Sequence, residues 1–520
     1  MTSTSQLGHS RQNSEKHQRK YHIATADLGR HDRWDATALP GDHRQTPTIR
    51  ARKRRTFFIW IILLGLAYWS VTWSINYFIL GGRRIVTSPD DPEVMYTSRS
   101  QVPKYTEVYS MEKYLPQHDL TLPWPEGRHG RFLKFEWTYG NIGFNNQLQD
   151  ILLTAQLAHL SNRAYAFQPY LWHRTSWTRV VVDEVGHLRS AEIPLNAFIS
   201  GPAAGAPVIE RNEKLHHPRA VTRKFFDKVC PSSRVTYLDV GDVRRKYGIE
   251  EHTQPSTLKM MDAWVTELAE MEDSCVVVRG DDFVWTFGAY GPRLTSMWPT
   301  VKDSPVYGQL NWSPLVQGIV ANNLRLLAPE LVAAPDEASA APSILPGTLA
   351  IHLRRGDFER HCVHLANMGS VFAGWANLPQ LPDRLPDDTS SMTREERMSR
   401  CYPRVDQLIQ KVRTVKREWD AAAGGTSGRS QLQRVYVLTN AEVEYRQSLT
   451  QLLKGDGWGD VVMSMDLEVR NEEKEVAVAA DMMIAEIAEV FLGNGWSSLT
   501  SNVNVMRLVR GSAPESNRFL

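Results

Sequence analysis

Beyond residue 340 the chain alternates short apolar runs with stretches of helical period, and that alternation admits few folds. Thr348-Leu349-Ala350-Ile351 reads as a buried strand, continuing to about residue 353. Arg434–Thr439, Val461-Val462-Met463 and Val490-Phe491-Leu492-Gly493 read as three more. Between them, helical stretches run from Pro403 to about Trp419, from Glu442 to Leu453 and from Lys474 to Glu489. The last keeps Val476, Ala480, Met483, Ile484 and Ile487 on one side. Strands alternating with helices predict an α/β unit with a parallel sheet covered on both faces.

The first of these strands ends in His352-Leu353-Arg354-Arg355-Gly356-Asp357-Phe358. Open α/β sheets bind ligands at the C-terminal ends of their strands, so the charges sit where a ligand is expected. Guanidinium is a planar fork that pairs phosphate oxygens two at a time, so adjacent arginines suit a pyrophosphate. On these residues alone a charged surface turn fits equally well, and Arg355-Gly356-Asp357 also spells an adhesion tripeptide.

The middle of the chain repeats the pattern once. Arg131–Phe135 is a plausible first strand, followed by Gly143-Phe144-Asn145-Asn146-Gln147 as a loop. Leu148, Ile151, Leu152, Ala155, Leu157, Ala158 and Leu160 then form a helical apolar face, and Ala164–Phe167 is the next strand. A loop at a helix N-terminus offers free N–H groups to an anion. Its spacing matches neither the dinucleotide fingerprint nor the P-loop. Cys275-Val276-Val277-Val278 is a further strand and leads to Asp281-Asp282, which with Asp90-Asp91 forms the pairs of acids that could hold a metal. Asn311-Trp312-Ser313 is a formal glycosylation acceptor with Pro314 directly behind it. An Ala/Pro-rich stretch from Ala328 to Gly347 separates two lobes, 129–340 and 341–520.

The N-terminal part has another character. Residues 1–55 are polar and basic and read as a disordered tail ending in Arg52-Lys53-Arg54-Arg55. From Phe57 to Leu80 no residue is charged, which is long enough for a membrane-spanning helix of roughly 20 residues. The stronger basic cluster precedes it, which predicts a cytoplasmic N-terminus and a type II anchor. Residues 81–128 read as a stem. The large part would then be lumenal, in Golgi or endoplasmic reticulum, where disulfides persist. Cys362 with Cys401, and Cys230 with Cys275, are the expected pairs, with unpaired buried thiols as the alternative. A net charge of +2 supplies no argument for nucleic acid as a partner.

Three loops thus fall at strand ends: 143–147, 352–357 and 493–500. Two Rossmann-like lobes with a ligand cleft between them is the expected geometry. Gly493 and Gly495 would let backbone approach a ligand, and Ser497, Ser498 and Thr500 would supply hydroxyls and N–H groups. Asp481 would accept from the N1–H and amine of a guanine, or is simply a solvated helix residue.

These motifs resemble a family. His352–Phe358 is similar to the H-x-R-x-G/T-D loop of GDP-fucose-dependent fucosyltransferases, the protein O-fucosyltransferases above all. Asp481 through Phe491–Thr500 resembles their C-terminal motif, and Gly143–Gln147 their N-terminal G-x-x-N-Q loop. The resemblance implies the two-lobed GT-B fold and an inverting transfer of fucose from GDP-fucose to a protein or glycan hydroxyl. It implies no cofactor and no metal. It makes Arg354 the catalytic residue, on the β-phosphate, with His352, Arg355 and Asp357 positioning the phosphates. Gly143, Phe144, Asn145 and Asn146 would face the donor from the other lobe. Asp481, Ser497, Ser498, Leu499 and Thr500 would hold guanosine. Leu499 stands where the family has Phe, so Trp496 would replace it against the base. The glutamate some members carry just before the loop is Ile142 here, and Glu136 lies six residues upstream of that position. The general base is therefore open. The competing readings are a non-catalytic nucleotide-sugar or glycan binder, a transferase using another GDP-sugar, and a metal-dependent transferase built on Asp281-Asp282.

Overall fold

The computed structural model describes residues 102–136, 142–171, 180–182, 188–209, 217–280, 284–285, 290–332, 341–423 and 429–520. All of them belong to one unit, residues 91–520. The apolar stretch Phe57–Leu80 lies outside the described residues, and among those no helix is long and apolar enough to cross a membrane. Asp90-Asp91 and Asp281-Asp282 also lie outside, and the described residues bring no three His, Cys, Asp or Glu together as a metal site.

From residue 102 the expected stem is packed structure. Helix α1 (Thr106–Lys113) follows a buried Tyr105 and carries a buried Glu112. Gln117, almost wholly buried, donates to the carbonyls of Gly205 and Ala220. These are long-range contacts that no local periodicity announces.

The first lobe is built on β1 (Phe132–Phe135), β2 (Ala164–Phe167), β3 (Val221–Thr222), β4 (Val235–Asp239) and β5 (Cys275–Arg279). Their order is β3-β2-β1-β5-β4, and every pairing is parallel. Helix α2 (Phe144–Leu160) joins β1 to β2, and α3 (Thr257–Glu270) precedes β5. Cys275 to Val278 are buried, as the β-branched run of a strand covered on both faces requires. Cys275 is bonded to Cys230.

A helical segment follows, including α4 (Pro314–Asn322). The hydroxyl of Ser313 is fully buried, donates to Ala197 O at 2.6 Å and caps α4 by accepting from Val316 N. That cap occupies the hydroxyl that a glycosylation acceptor at Asn311 would have to present.

The second lobe contains β6 (Leu345–Leu353), α5 (Phe358–Asn367), α6 (Arg394–Cys401), α7 (Val405–Ala423), β7 (Arg434–Thr439), α8 (Val443–Gly455), β8 (Asp460–Met463), α9 (Ala477–Ile487), β9 (Ala488–Gly493), α10 (Ser498–Val509) and β10 (Asn517–Phe519). Its sheet runs β8-β7-β6-β9-β10, again parallel throughout. The alternation therefore gives the expected architecture: mixed α/β with two parallel, Rossmann-like sheets. Thr393 and Glu396 form a capping box that starts α6, and Cys401 ends it. The expected Cys362–Cys401 disulfide is present and ties α5 to α6. The chain also ends in a strand, β10, beyond α10.

Arg507, fully buried in α10, holds this last part together. Its guanidinium donates to the carbonyls of Ala485, Glu486, Ala488, Glu489 and Ser516 and to Asn517 Oδ1. It thus joins the end of α9, the start of β9 and β10 in one network.

The lobes share one hydrophobic core, and polar bonds also cross the seam between them. Trp312 Nε1 donates to Glu486 Oε2 at 2.6 Å, and Arg510 Nε pairs with the other oxygen at 2.7 Å. Asn323 and Glu468 exchange two hydrogen bonds across the same seam.

Candidate functional site

In the second lobe the chain leaves β6 toward β7 on one side and returns to pair β9 on the other. The switch point of an open parallel sheet is where its ligand crevice opens. The two segments that leave this point are Arg354–Asp357 after β6 and Asn494–Ser497 after β9.

The first segment is a tight turn. Gly356 takes φ +60°, a conformation that disfavours a side chain. Asn440, at the end of β7, accepts from Arg355 N at 2.8 Å and donates to Arg355 O and Asp357 Oδ1. The two arginines then part company. Arg355 lies 3.7 Å over the Tyr402 ring and 4.4 Å from that of Tyr445, and donates to Pro403 O. It is held among protein groups and braces the turn. Arg354 is 47% exposed, pairs with Asp357 at 2.8 Å and rests its guanidinium 5.1 Å from the centre of the Phe358 ring. It is the arginine presented at the crevice.

His352 is buried inside β6, and burial, with Arg354 nearby, pushes its imidazole down to about 3, so it is neutral. Its Nδ1 shares a 3.0 Å hydrogen bond with Thr500 Oγ1. His352 and Thr500 thus fasten the strand that carries the arginine turn to α10. Ser497 caps α10 by accepting from Leu499 N, and Ser498 and Leu499 are half-buried in the first turn. The positive end of α10 thus lies behind β9, beside the strand that carries the arginine turn.

Gly493 and Gly495 have a packing role instead of the expected ligand approach. A Cβ on Gly493 would stand 2.3 Å from Thr500 Cγ2, and one on Gly495 2.5 Å from the Phe372 ring. Trp496 is also a core residue: it is edge-on to Phe372 and donates to Ser370 O. Asn494, fully buried, donates to Cys401 O. Gly495→Ala is expected to cost about 1–3 kcal/mol by overpacking against Phe372, read as a lowered denaturant midpoint.

Asp481, in α9, accepts from Tyr436 OH at 2.5 Å and from Ser464 Oγ at 3.0 Å. Burial raises its carboxyl to about 6, offset by those two donors. It is therefore no freely solvated helix residue: it is held between the middle of β7 and the segment behind β8, with acceptor capacity remaining on each oxygen.

Across the seam, Phe144–Gln147 is the first turn of α2 and not a loop. Phe144 stacks on Phe198 in the core. Gln147 ties the turn to Ile142 and Leu171 by its side chain. Asn145 is buried, and Asn502 of α10 donates to its carbonyl at 2.8 Å and to its Oδ1 at 3.1 Å. Gly143 and Asn146 are exposed. Of this motif, then, Gly143 and Asn146 face outward, while Asn145 joins the lobes two residues beyond Thr500.

Sequence reasoning missed Asn440, Tyr402, Tyr445, Tyr436 and Ser464. A polar residue directly behind a strand, as Asn440 is behind β7, was the available signal. The others are recognisable only once the sheet is assembled.

No family model matches the chain and no curated protein does. Among solved structures it is similar to POFUT1 in complex with GDP, at 14% identity and TM-score 0.44 over 74% of this chain and 96% of that one. POFUT1 in complex with GDP-fucose gives 14% identity and 0.44 over 74% and 97%. A mutant of Arabidopsis thaliana FUT1 in complex with GDP gives 11% identity and 0.32 over 77% and 73%. None of the three reaches a TM-score of 0.5, and no residue role is carried across from them.

Proposed function

We propose that this chain is a glycosyltransferase that transfers fucose from GDP-fucose to a hydroxyl of a protein or glycan, with inversion and without a metal. The observation that carries the reading is the convergence, at the β6/β9 switch point, of an exposed Arg354 with the N-terminus of α10. Two sources of positive potential behind neighbouring strands suit a pyrophosphate leaving group. The motif resemblance supplies the nucleotide and sugar. In this reading Asp481 accepts from the guanine, and Ser498 and Leu499 help to hold the guanosine.

In the transfer, the acceptor oxygen bonds the sugar's anomeric carbon as the bond from that carbon to the β-phosphate oxygen breaks. The electron pair goes to GDP. Arg354 and the N–H groups of α10 stabilise that developing charge, and Asp357 with Asn440 keeps Arg354 in place. Anchoring by Phe57–Leu80, with this unit in the lumen of Golgi or endoplasmic reticulum, completes the proposal.

The test is transfer of labelled fucose from GDP-fucose to glycan and peptide acceptors by the full-length chain. Transfer supports the reading. GDP binding without turnover points to a non-catalytic binding protein of the same fold, and loss of activity in chelator to a metal-dependent one. A pH effect accompanies binding. Protonated Asp481 loses acceptor capacity, so GDP affinity is expected to fall as pH is lowered through about 6, measured by calorimetry.

A further inference from the structure

The first lobe has a switch point of its own, between β1 and β5. The segment leaving β1 enters α2, and the segment leaving β5 leads to Tyr290. They meet where Tyr290 reaches Asp150. Asp150, in the second turn of α2 and one turn beyond the exposed Asn146, is only 7% exposed. Tyr290 OH donates to its Oδ1 at 2.7 Å, and Oδ2 has no hydrogen-bond partner among the described residues. The same end of α2 touches the nucleotide side of the site: Asn145 is bonded to Asn502, and Thr500 of the same helix is bonded to His352.

A buried carboxylate with one oxygen held and the other free needs a reason, because burial without full pairing is costly. We infer that Asp150 is the general base that takes the proton from the acceptor hydroxyl, an assignment that rests on the transferase reading above. In an inverting displacement the nucleophile arrives opposite the leaving group. With Arg354 on the leaving phosphate in one lobe, the base belongs to the other. His361, the titratable group beside Arg354, lies on the leaving-group side, one turn into α5. The acceptor O–H proton passes to Asp150 Oδ2 as the oxygen–carbon bond forms, the anomeric carbon–phosphate oxygen bond breaks, and its electron pair leaves with GDP. Solvent then removes the proton.

Burial raises the Asp150 carboxyl to about 7, offset by the Tyr290 hydrogen bond. That suits a base near neutral pH. The groups facing it are Tyr290, from the segment after β5, Tyr165, from β2, and Thr154 within α2.

The experiment is GDP release from GDP-fucose, with water as acceptor, by the full-length wild type and by Asp150→Asn, Tyr290→Phe and His361→Ala across pH about 5–9. GDP binding is followed in parallel by calorimetry. The wild-type rate should climb with pH to a plateau above about 7. D150N should lose about 10³-fold in kcat, bind GDP as wild type does, and show no such climb. Y290F removes the donor that lowers the carboxyl, so its climb should move to higher pH, a shift that a merely structural role would not produce. D150N within about threefold of wild type with the same pH profile overturns the assignment, as does loss of the climb in H361A alone. A wild type that neither binds GDP nor releases it from GDP-fucose overturns the transferase reading, and this assignment with it.

Discussion

Replacing Arg354 with alanine is expected to remove transfer while leaving the fold intact. The side chain is half-exposed and its one ion pair, to Asp357, is a surface pair of small worth to stability. Its position over Phe358 at the crevice gives it charge to offer only where the leaving group develops it. Removing a preorganised donor of this kind costs about 10²–10³-fold in kcat, and a guanidinium lost whole belongs at or beyond the upper end. Arg354→Lys should recover part of the rate, since the charge returns without the two-pronged fork. Arg355→Ala should behave differently. It empties the space between Tyr402 and Tyr445 and loosens the turn, so it should lower stability as well as rate. Steady-state kinetics beside thermal melts separate the two arginines. An R354A protein transferring at near the wild-type rate excludes the role given to it.

The largest loss of stability is expected from Arg507→Met. The methionine keeps most of the bulk, but the carbonyls of Ala485, Glu486, Ala488, Glu489 and Ser516 lose their shared donor in a site closed to water. Each buried acceptor left unpaired costs about 1–3 kcal/mol. Some relaxation is available, so a total of about 4 kcal/mol is expected, read as a fall in denaturant midpoint at unchanged slope. The same change should weaken GDP binding, because Arg507 sets where β9 and α10 meet, and α10 supplies the first turn of the site.

How much of this was legible in the chain depended on how far the contacts reach. Parallel strands buried on both faces read as continuous apolar runs, so β5, β6, β7 and β9 stood out. The expectation of a lumenal part brought both disulfides within reach. Segments stabilised by distant partners did not announce themselves. Residues 102–128 look like a stem because their order comes from groups such as Gly205 and Ala220, about a hundred residues away. β10 is short and carries Asn517 and Arg518, so no apolar run marks it.

The site divided in the same way. The arginine turn could be located from its charges at a strand end. Which arginine faces the crevice could not, because Tyr402, Asn440 and Tyr445 decide it. Glycines in a motif invite a ligand explanation, yet Gly493 and Gly495 answer to Thr500 and Phe372. Asp150 is the one acid of α2 and was passed over, because its meaning depends on Tyr290, 140 residues away.

Calorimetric titration of the full-length chain with GDP, ADP and UDP decides whether the β6/β9 crevice takes a guanine nucleoside diphosphate. Asp481 with Tyr436 and Ser464 should favour GDP by about 10–100-fold, the range set by one buried polar group left unpaired. Equal binding of all three nucleotides, or no heat with GDP, would contradict the account.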